Sequence, residues 1–556
     1  MLMNDLPVQE SLIVEFKSDR KSLPDNDIIE AVVGLANTEG GTLYLGIEDN
    51  GEVTGLHPNH RDIIRMEVTV AGKTVPSLSV RINIVEEQEY QIMIFEVPKS
   101  QSIIATTNGK VLKRRLKANG EPENVPMYPY EFNSRLADLG KLDFSRQPLT
   151  NATIEDFDSN EVLRLRKTIE LRNGERSLLD LSDEELFKAL FLVDYVSGQL
   201  VPTVTGLLLL GKEEAIEKYI PTAQSAFQVL EGTQVRINET IRKPLIATFD
   251  FFEQMLKPWN KEREMDFGML RVPIPEFDNR AFREALINAF AHRDYSAFQM
   301  TRVQIDDEGM SISNPGGFVS GIDIKNLINA DPHGRNPVLA DALKRIGLAE
   351  RTGRGIDRIF EGSIIYGRPL PDYSESTTSA VKVFISRELP DIGFCRMLKE
   401  EQSKLGQPFS INQLLILSAL RTNKKMSVKD ILDVVFIPET RMRTALARLV
   451  EIGMIEEFGT VRNKEYLLSV KAYKAGDKSV AYVRQTGIDK VRYPELVLKL
   501  VKTKGFIKTK DVEELLHITN RQAGYIIKEL IKTGELIKEG KTISTIYKLP
   551  DKIQSL

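Results

Sequence analysis

The sequence TNRQAGYIIKELIK, residues 519–532, decides how the C-terminal half of the chain is interpreted. Four of its apolar residues recur at the spacing of one helical face, which predicts a helix over Asn520–Lys532 with a buried stripe. They are Ala523, Ile526, Ile527 and Leu530. At about 100° per residue, the opposite face carries three cations and a tyrosine: Arg521, Tyr525, Lys528 and Lys532. A recognition helix presents such a face to the DNA major groove and its phosphates.

The flanking residues complete a small unit around this helix. Thr519 is the expected N-cap, residues 511–516 form the preceding helix, and residues 534–538 and 545–549 are the two strands of a hairpin. Residues 409–470 repeat the plan, with a helix over Glu439–Val450 that buries one face and places three arginines on its flanks: Arg441, Arg443 and Arg448. Both units resemble the winged-helix domains of bacterial regulators. That resemblance implies DNA as the partner, although winged helices also serve as protein-binding modules.

The N-terminal region carries a second ordered set of motifs. A strand period over residues 12–17 is followed by a helix over residues 25–37, the turn Glu39-Gly40-Gly41 and a strand over residues 42–47. Glu10-Ser-x-x-x-Glu15-Phe-Lys17, ANTEGGTLYLGI at residues 36–47 and the later Lys113-Arg114-Arg115 resemble the Schlafen-type AlbA-like domain. The resemblance implies nucleic-acid binding, with phosphate contacts from four cations that read no sequence. These are Lys17, Lys113, Arg114 and Arg115.

A nuclease is the alternative for this region. Some Schlafen proteins cleave RNA with three carboxylates, two of them five residues apart, and Glu10 and Glu15 have this spacing. Asp49 is the candidate third member. Clustered carboxylates bind Mg²⁺ or Mn²⁺, which activates water and stabilises the leaving oxygen. The same pattern is also the general signature of the fold, in which Glu15 pairs with basic neighbours.

A third region, from residue 278 to 390, combines a helix, two strands and a glycine-rich loop. In the helix predicted over Asn279–Arg293, Glu284 and Asn288 lie four residues apart and share one face. An amide oxygen can ligate Mg²⁺, while a carboxylate can orient or deprotonate a water. The turn Asn314-Pro315-Gly316-Gly317 and the later Gly353-Arg354-Gly355, which precedes a short helix, offer close backbone access to phosphate.

This region resembles the ATP-binding fold of gyrase and the histidine kinases, and more closely the divergent C-terminal domain of "RecG-like" proteins. Glu284-x-x-x-Asn288 matches the N box and Gly353-x-Gly355 the second glycine box. The resemblance implies ATP and Mg²⁺ as cofactors, with Asn288 holding the metal, Glu284 activating water, and Asn314, Gly316, Gly317, Gly353 and Gly355 contacting nucleotide. The first glycine box has Asn314 where the family has the aspartate that reads the adenine amino group.

Composition excludes several other classes. One cysteine, Cys395, and five histidines exclude intrachain disulfides and argue against structural zinc. No apolar run approaches the roughly 20 residues that span a bilayer, so a cytoplasmic location is expected. Gly206-Leu-Leu-Leu-Leu-Gly211-Lys212 has P-loop spacing, but its four leucines predict a buried strand over residues 205–210 instead. Helicase motor motifs are not evident, so the chain is not interpreted as a helicase.

Together, the 556 residues predict a multidomain α+β protein. The expected order is a Schlafen AlbA-like domain over residues 1–135, a connecting region over 136–277 and a divergent GHKL-like α/β sandwich over 278–390. Tandem winged helices are expected over residues 405–472 and 490–552. The leading hypothesis is a DNA-binding transcriptional regulator, with a dimer favoured, whose occupancy is tuned by ATP or another small ligand. The alternatives are a metal-dependent Schlafen-type nuclease acting on RNA or DNA, as a defence effector, and an ATPase that remodels a nucleic-acid complex.

Overall fold

The computed structural model describes residues 6–550, except for 88, 118, 268–269, 331–332, 351–352, 424, 461–462, 470–492, 517 and 541–544. The chain divides into two compact units. The first comprises Met1–Gln147 together with the short segments Asp294–Phe298 and Gly334–Pro337, and the second comprises the remaining residues. Helices and strands are mixed in both units, which confirms the α+β class predicted from the sequence.

A four-stranded sheet forms the centre of the first unit. Its strands lie in the order β1-β2-β5-β4, with β1 parallel to β2 and the other pairs antiparallel. Helix α1 buries eight of its twelve residues, and an apolar cluster joins it to the sheet. The elements of this unit are β1 (Val14–Lys17), α1 (Asp25–Ala36), β2 (Gly41–Leu45), α2 (Ile63–Lys73), β3 (Thr74–Val75), β4 (Arg81–Glu87), β5 (Tyr90–Val97), β6 (Ala105–Thr106), β7 (Leu112–Leu116), β8 (Pro122–Pro126) and α3 (Pro129–Asp138).

The Glu39-Gly40-Gly41 turn explains how β1 and β2 approach each other. Gly41 has φ of 135°, and a methyl group added there would lie 2.2 Å from the carbonyl oxygen of Ile13. Only glycine permits both this backbone conformation and this close approach. The turn therefore fixes the start of β2 beside β1, as the motif predicts.

The second unit begins with helices and small sheets. Its first part consists of α4 (Ser159–Leu171), α5 (Asp183–Ala189), β9 (Val193–Val196), β10 (Gln199–Pro202), α6 (Val204–Leu210), α7 (Glu213–Tyr219), β11 (Ser225–Glu231), β12 (Gln234–Ile241), α8 (Leu245–Leu256), β13 (Glu262–Phe267) and β14 (Leu270–Pro275). β9 pairs with β10 and β13 with β14, each antiparallel.

Helix α6 corrects the strand expected over residues 205–210. All seven of its residues are buried, and Thr203 caps the helix by accepting a hydrogen bond from the Gly206 N–H at 3.0 Å. A continuous apolar run has no period that separates a buried strand from a helix buried on all sides, so the sequence pattern was ambiguous here. Gly206 lies inside the helix, where an added methyl group would meet the Leu192 carbonyl oxygen at 2.0 Å.

A five-stranded sheet follows, covered by helices. Its strands lie in the order β12-β11-β15-β16-β17, with only the β11–β15 pair parallel. The added elements are α9 (Asn279–Ala291), β15 (Thr301–Ile305), β16 (Gly309–Pro315), α10 (Pro337–Arg345), α11 (Gly355–Ile364) and β17 (Ala380–Ser386). Helix α9 packs against α11, and Phe290 of α9 contacts Phe249 and Phe252 of α8.

Two units of similar plan end the chain. The first contains α12 (Ile392–Leu405), α13 (Ile411–Asn423), β18 (Lys425–Ser427), α14 (Val428–Val435), α15 (Glu439–Glu451), β19 (Ile455–Thr460) and β20 (Asn463–Leu468). The second contains α16 (Tyr493–Lys504), α17 (Thr509–Leu516), α18 (Asn520–Lys532), β21 (Ile537–Glu539) and β22 (Ile546–Lys548). In both, three helices precede an antiparallel hairpin: α13, α14 and α15 in the first, where α12 comes before them, and α16, α17 and α18 in the second. Helix α18 has the predicted bounds, and Thr519 is its N-cap.

Among the helices that the structure describes, none is both long and apolar enough to cross a membrane.

Two glycine substitutions test the assignment of α6. We expect G206A to destabilise the protein by about 1–3 kcal/mol, because the added methyl overlaps a backbone carbonyl. The matched control is G524A inside α18, where nothing lies within 4 Å of an added methyl group. We expect that change to stabilise by up to about 1 kcal/mol through helix propensity. Calorimetric unfolding measures both, and an unchanged or raised transition temperature for G206A would contradict the packing described.

Candidate nucleotide and nucleic-acid sites

Helix α9 brings together three of the residues predicted to bind nucleotide. Its start is fixed by Asp278, whose side chain accepts hydrogen bonds from the N–H groups of Arg280 and Ala281 at 2.9 Å. Gly355, the first residue of α11, packs against the same side of α9. A methyl group added at Gly355 would lie 2.9 Å from Glu284 Oε2 and 3.7 Å from Asn288 Nδ2. The N-box pair and the second glycine box therefore meet in one place.

The carboxylate of Glu284 lies in a desolvated position. The residue is 4% exposed, and burial raises the pKa of its carboxyl group. Arg358 opposes this rise, with Nη1 3.8 Å from Glu284 Oε1, while the nearby Glu350 reinforces it. A carboxylate whose pKa is raised toward neutrality is better suited to accept a proton from water than an ordinary exposed one.

Arg358 is a site residue that the sequence interpretation missed. It lies one turn after Gly355 on α11, and its guanidinium forms an ion pair with Glu350 as well as approaching Glu284. Burial also raises the pKa of Asp357, the adjacent residue. The spacing Gly355-x-x-Arg358 was visible in the sequence, but Glu284 comes from a distant segment, so the sequence gave no local signal that Arg358 lies beside it.

The first glycine box has a structural role that the sequence interpretation did not anticipate. Asn314 is buried and its Nδ2 donates to the Pro315 carbonyl at 3.1 Å. Gly316 has φ of 90°, and its N–H donates to the Ser379 carbonyl at 2.8 Å. A methyl group added at Gly317 would lie 2.5 Å from the Thr378 carbonyl oxygen. The close backbone approach predicted for a ligand is therefore made by the chain's own segment before β17.

An aromatic contact path links this turn to α11. Phe318 follows the glycine box, its ring centroid 6.2 Å from that of Tyr373, which in turn stacks on Phe360 of α11 at 6.3 Å. Burial raises the pKa of Tyr373, as expected for a phenol enclosed among apolar groups. Gly353, before α11, is exposed with φ of 75°, a conformation that favours glycine.

The three carboxylates proposed for a nuclease do not form a cluster. Glu10 Oε1 accepts a hydrogen bond from the Phe16 N–H at 2.8 Å, and Glu15 is buried in an ion pair with Arg114. Asp49 is exposed in a turn after β2. Over the part of the chain that the structure describes, no three His, Cys, Asp or Glu side chains form a group that could hold a metal ion. Glu15 pairs with basic neighbours, which is the structural alternative to a catalytic role.

Arg114 cannot contact phosphate as predicted. It is 3% exposed, and its Nη2 donates to the carbonyl oxygens of Ser11 and Val14 at 2.7 and 3.1 Å. Burial lowers its pKa, opposed by the charge of Glu10. The reason is the period of β7, in which Leu112 and Arg114 face inward and Lys113 faces the opposite side. This alternation could have been read from the sequence.

The other three cations predicted to contact phosphate are already paired. Lys17 Nζ lies 2.5 Å from Glu15 Oε1, and Arg115 Nε lies 2.7 Å from Glu123 Oε1. Lys113 forms an ion pair with Glu131. These residues remain near the surface, but each would have to exchange a carboxylate for a phosphate in order to bind nucleic acid.

Helix α18 presents an open cationic surface. Its inner face buries Ala523, Ile527 and Leu530, whereas Ile526, expected in the core, is only partly buried. The outer face exposes the four residues predicted from the sequence, with Tyr525 68% exposed: Arg521, Tyr525, Lys528 and Lys532. Among the described residues, none of these side chains has an ion-pair or hydrogen-bond partner.

The equivalent helix α15 differs in this respect. Arg443 forms an ion pair with Glu439 at 2.5 Å and Arg448 with Glu451 at 2.6 Å. Arg441 donates to Asn329 Oδ1 at 3.4 Å. Two of the three arginines of α15 are thus in ion pairs and the third contacts a neutral amide, whereas the cations of α18 have no partner among the described residues.

Comparisons with known proteins agree with the two larger regions. Residues 10–122 match the family described as "Schlafen, AlbA_2", and residues 299–385 match the family described as "Putative ATP-dependent DNA helicase recG C-terminal". The chain contains a Schlafen AlbA_2 domain and a RecG C-terminal HATPase domain. This domain composition supports a nucleic-acid-associated, nucleotide-binding protein. Residues 134–226 match a family described as a domain of unknown function. Helix α9 precedes the residues matched to the HATPase domain, so the roles of Glu284 and Asn288 rest on geometry.

Solved structures support the fold. A crystal structure of the DIP2311 protein from Corynebacterium diphtheriae matches with a TM-score of 0.50 at 19% identity, covering 97% of this chain and 95% of that chain. The N-terminal domain of a "Putative ATP-dependent DNA Helicase RecG-related Protein" from Nitrosomonas europaea matches at 22% identity over 17% of this chain and 67% of that chain, with a TM-score of 0.14. Reduced MarR from E. coli matches at 18% identity over 24% and 86% of the two chains, with a TM-score of 0.13. Nothing is inferred from the last two. No curated protein matches the chain.

Substitution of Arg114 tests its structural role in the Schlafen AlbA_2 domain. We expect R114A to destabilise this unit by about 3–5 kcal/mol, because it removes the buried partner of Glu15, leaving only Lys17, and the donor to the Ser11 and Val14 carbonyls. The control is R115A on the exposed face of the same strand, where we expect little change. Denaturant unfolding compares them; equal effects of the two changes would contradict the burial of Arg114.

The raised pKa of Glu284 predicts a pH-dependent stability change. A carboxyl group whose pKa is higher in the folded than in the unfolded state binds more protons when folded. Its contribution to stability is therefore present at acid pH and is lost as pH rises through the folded pKa. We expect E284Q to be more stable than the wild type at neutral pH, with the difference disappearing below the ordinary carboxyl value of 4.5. A difference that does not vary with pH would contradict this origin.

Proposed function

We propose that this chain is a DNA-binding regulator whose C-terminal unit docks on duplex DNA through α18, and whose HATPase region binds Mg²⁺–ATP. The observation that carries the proposal is the exposed cationic face of α18, whose side chains have no ion-pair partner in the part of the chain that the structure describes. In this interpretation residues 493–549 form a winged helix, α18 is its recognition helix and β21–β22 is its wing. Control of transcription is the expected biological role.

The chemistry of α18 matches a phosphate-lined groove. Its cations need not break an existing ion pair on binding, so the counterions released from DNA provide a net gain. Tyr525 adds an exposed ring and hydroxyl between Arg521 and Lys528, able to contact sugar or base edges. The unit that contains α15 is better suited to bind protein or to stabilise the structure, because its arginines already have partners within the protein.

The nucleotide proposal rests on the convergence of Glu284, Asn288 and Gly355. Asn288 would supply an amide oxygen to a phosphate-bound Mg²⁺, and the start of α11 would face the phosphates with its free N–H groups. Glu284 would orient or deprotonate water. The Asn314 side chain stands where the family has a base-reading aspartate, so we do not assign adenine recognition to it.

A dimer is also part of this proposal, since the two-fold symmetry of operators rewards it. The nuclease alternative lacks a supporting observation, because its three carboxylates do not meet. An ATPase that remodels nucleic-acid complexes would use the same nucleotide site, and measurable turnover would favour it over a binding switch.

Charge-neutralising substitutions test the DNA proposal. We expect R521Q/K528Q to weaken binding to duplex DNA, and to reduce the slope of log affinity against log salt by about 0.9 for each lost phosphate contact. The matched control is R443Q/R448Q on α15, which removes the same charge from arginines that are already paired. Fluorescence anisotropy with a labelled duplex measures both. If the control weakens binding as much, the effect is one of net charge and α18 is not the docking surface.

Calorimetric titration with Mg²⁺–ATP tests the nucleotide proposal. We expect heat of binding for the wild type and a clear loss for N288A, because the amide is the proposed metal ligand. A useful control is N329A, which removes an amide that contacts Phe436 and Arg441 away from α9. If the wild type shows no heat of binding, the HATPase region does not bind the nucleotide and has only a structural role.

A further inference from the structure

Two tyrosines in the first unit form an exposed aromatic surface that the DNA and nucleotide proposals do not use. Tyr128 and Tyr130 are 51% and 54% exposed. Their rings are nearly parallel, with an interplanar angle of 9° and centroids 6.2 Å apart. Burial of aromatic rings is a main source of folding energy, so two half-exposed rings side by side contribute little to a core. Their arrangement resembles the start of a stack.

The backbone around this pair is fixed. Met127 is buried, and its N–H donates to the Val111 carbonyl at 2.9 Å. The Tyr128 N–H donates to Glu131 Oε2 at 2.7 Å, which caps α3 at the next residue, Pro129. The Tyr130 hydroxyl lies 3.4 Å from the other oxygen of Glu131. The rings are therefore held in place before any ligand arrives, which lowers the entropic cost of binding.

Cations line the strand beside the pair. Lys113 and Arg115 lie two residues apart on the outward face of β7, about 6.7 Å along the strand, and Lys117 follows. Arg115 lies near both tyrosines. Burial raises the pKa of Tyr130, and the positive charge of Arg115 opposes that rise. The pKa of Arg115 is raised chiefly by its hydrogen bond to Glu123, and Tyr128 adds to this rise.

Lys113 is held by Glu131, whose side chain is 13% exposed and also caps α3. The carboxylates on the other two cations do not block an anionic ligand, because Arg115 pairs with Glu123 and Lys117 with Glu121, both at the surface. Exposed pairs of this kind contribute little and are screened by salt, so a phosphate can replace the carboxylate at small cost. Rings that stack and cations that alternate along an extended strand are the two elements of a single-stranded nucleic-acid site.

We propose that Tyr128 and Tyr130, with Arg115 and Lys117, bind single-stranded nucleic acid by stacking unpaired bases on the tyrosine rings and placing phosphates along β7. This site is separate from the duplex-binding face of α18 and does not depend on it. A duplex cannot use the rings in the same way, because its bases are already stacked and paired. The site therefore selects unpaired strands over duplexes without reading sequence.

Binding of labelled oligothymidine, oligouridine and a duplex of the same length to the full chain tests the proposal by fluorescence anisotropy. We expect Y128A/Y130A to weaken single-strand binding by about tenfold or more, because each stacked base contributes substantially, and to leave duplex binding unchanged. Y128F/Y130F should retain binding, since the ring does the stacking. R115Q should reduce the single-strand salt slope by about 0.7. The oligouridine and oligothymidine arms show whether RNA or DNA is preferred.

The matched control is Y195A, which removes a tyrosine of similar exposure, 59%, in the second unit. R521Q/K528Q should show the reverse pattern, with duplex binding weakened and single-strand binding kept. Equal single-strand affinities for the wild type and Y128A/Y130A would overturn the proposal. So would an equal loss in Y195A or in Y128F/Y130F, or a wild type that binds neither oligonucleotide.

Discussion

Burial of α9 is the constraint on which the candidate chemistry of the second unit depends. Nine of its thirteen residues are buried, so this helix has almost no freedom to turn. Phenylalanines fix one side against α8, and α11 packs so closely on the other that Gly362 has no room for a methyl group beside Ala281. Glu284 is carried into the interior by this packing and pays a desolvation cost that an exposed glutamate would avoid. A protein keeps such a carboxylate where function requires it.

The pairing of the cations distinguishes α18 from α15 and from the buried Arg114. Arg114 and the arginines of α15 lie in motifs or helices that suggest nucleic-acid binding, yet their side chains contact other groups of the protein. Arg521 and Lys528 have the same chemistry without a partner among the described residues. The difference lies in what surrounds them, since α15 has Glu439 within one turn of Arg443, whereas the outer face of α18 has no such neutralising contact. Net charge over a segment could not have shown this.

Local periodicity predicted some elements well and failed where partners come from afar. Helix α18 begins and ends at the predicted residues because an N-cap and an amphipathic stripe define it. Residues 205–210 were predicted as a strand, since a run of leucines has no period to read. The meeting of Glu284 with Gly355 followed from a family resemblance. By contrast, Arg358 and the tyrosine pair were missed, because their significance depends on neighbours brought by tertiary packing. Gly317 was interpreted as a ligand contact, yet its constraint comes from the Thr377 and Thr378 carbonyl groups in the segment before β17.

In the proposed regulator, nucleotide bound at the α9–α11 site would change how α18 binds DNA. Coupling of this kind is reciprocal, so a nucleotide that alters DNA affinity must have its own affinity altered by the same factor. The most direct measurement is the dissociation constant for duplex DNA with and without Mg²⁺–ATP, in the wild type and in N288A. We expect ATP to shift the dissociation constant for duplex DNA in the wild type and to leave it unchanged in N288A. Identical constants with and without ATP in a wild type shown to bind the nucleotide would contradict it.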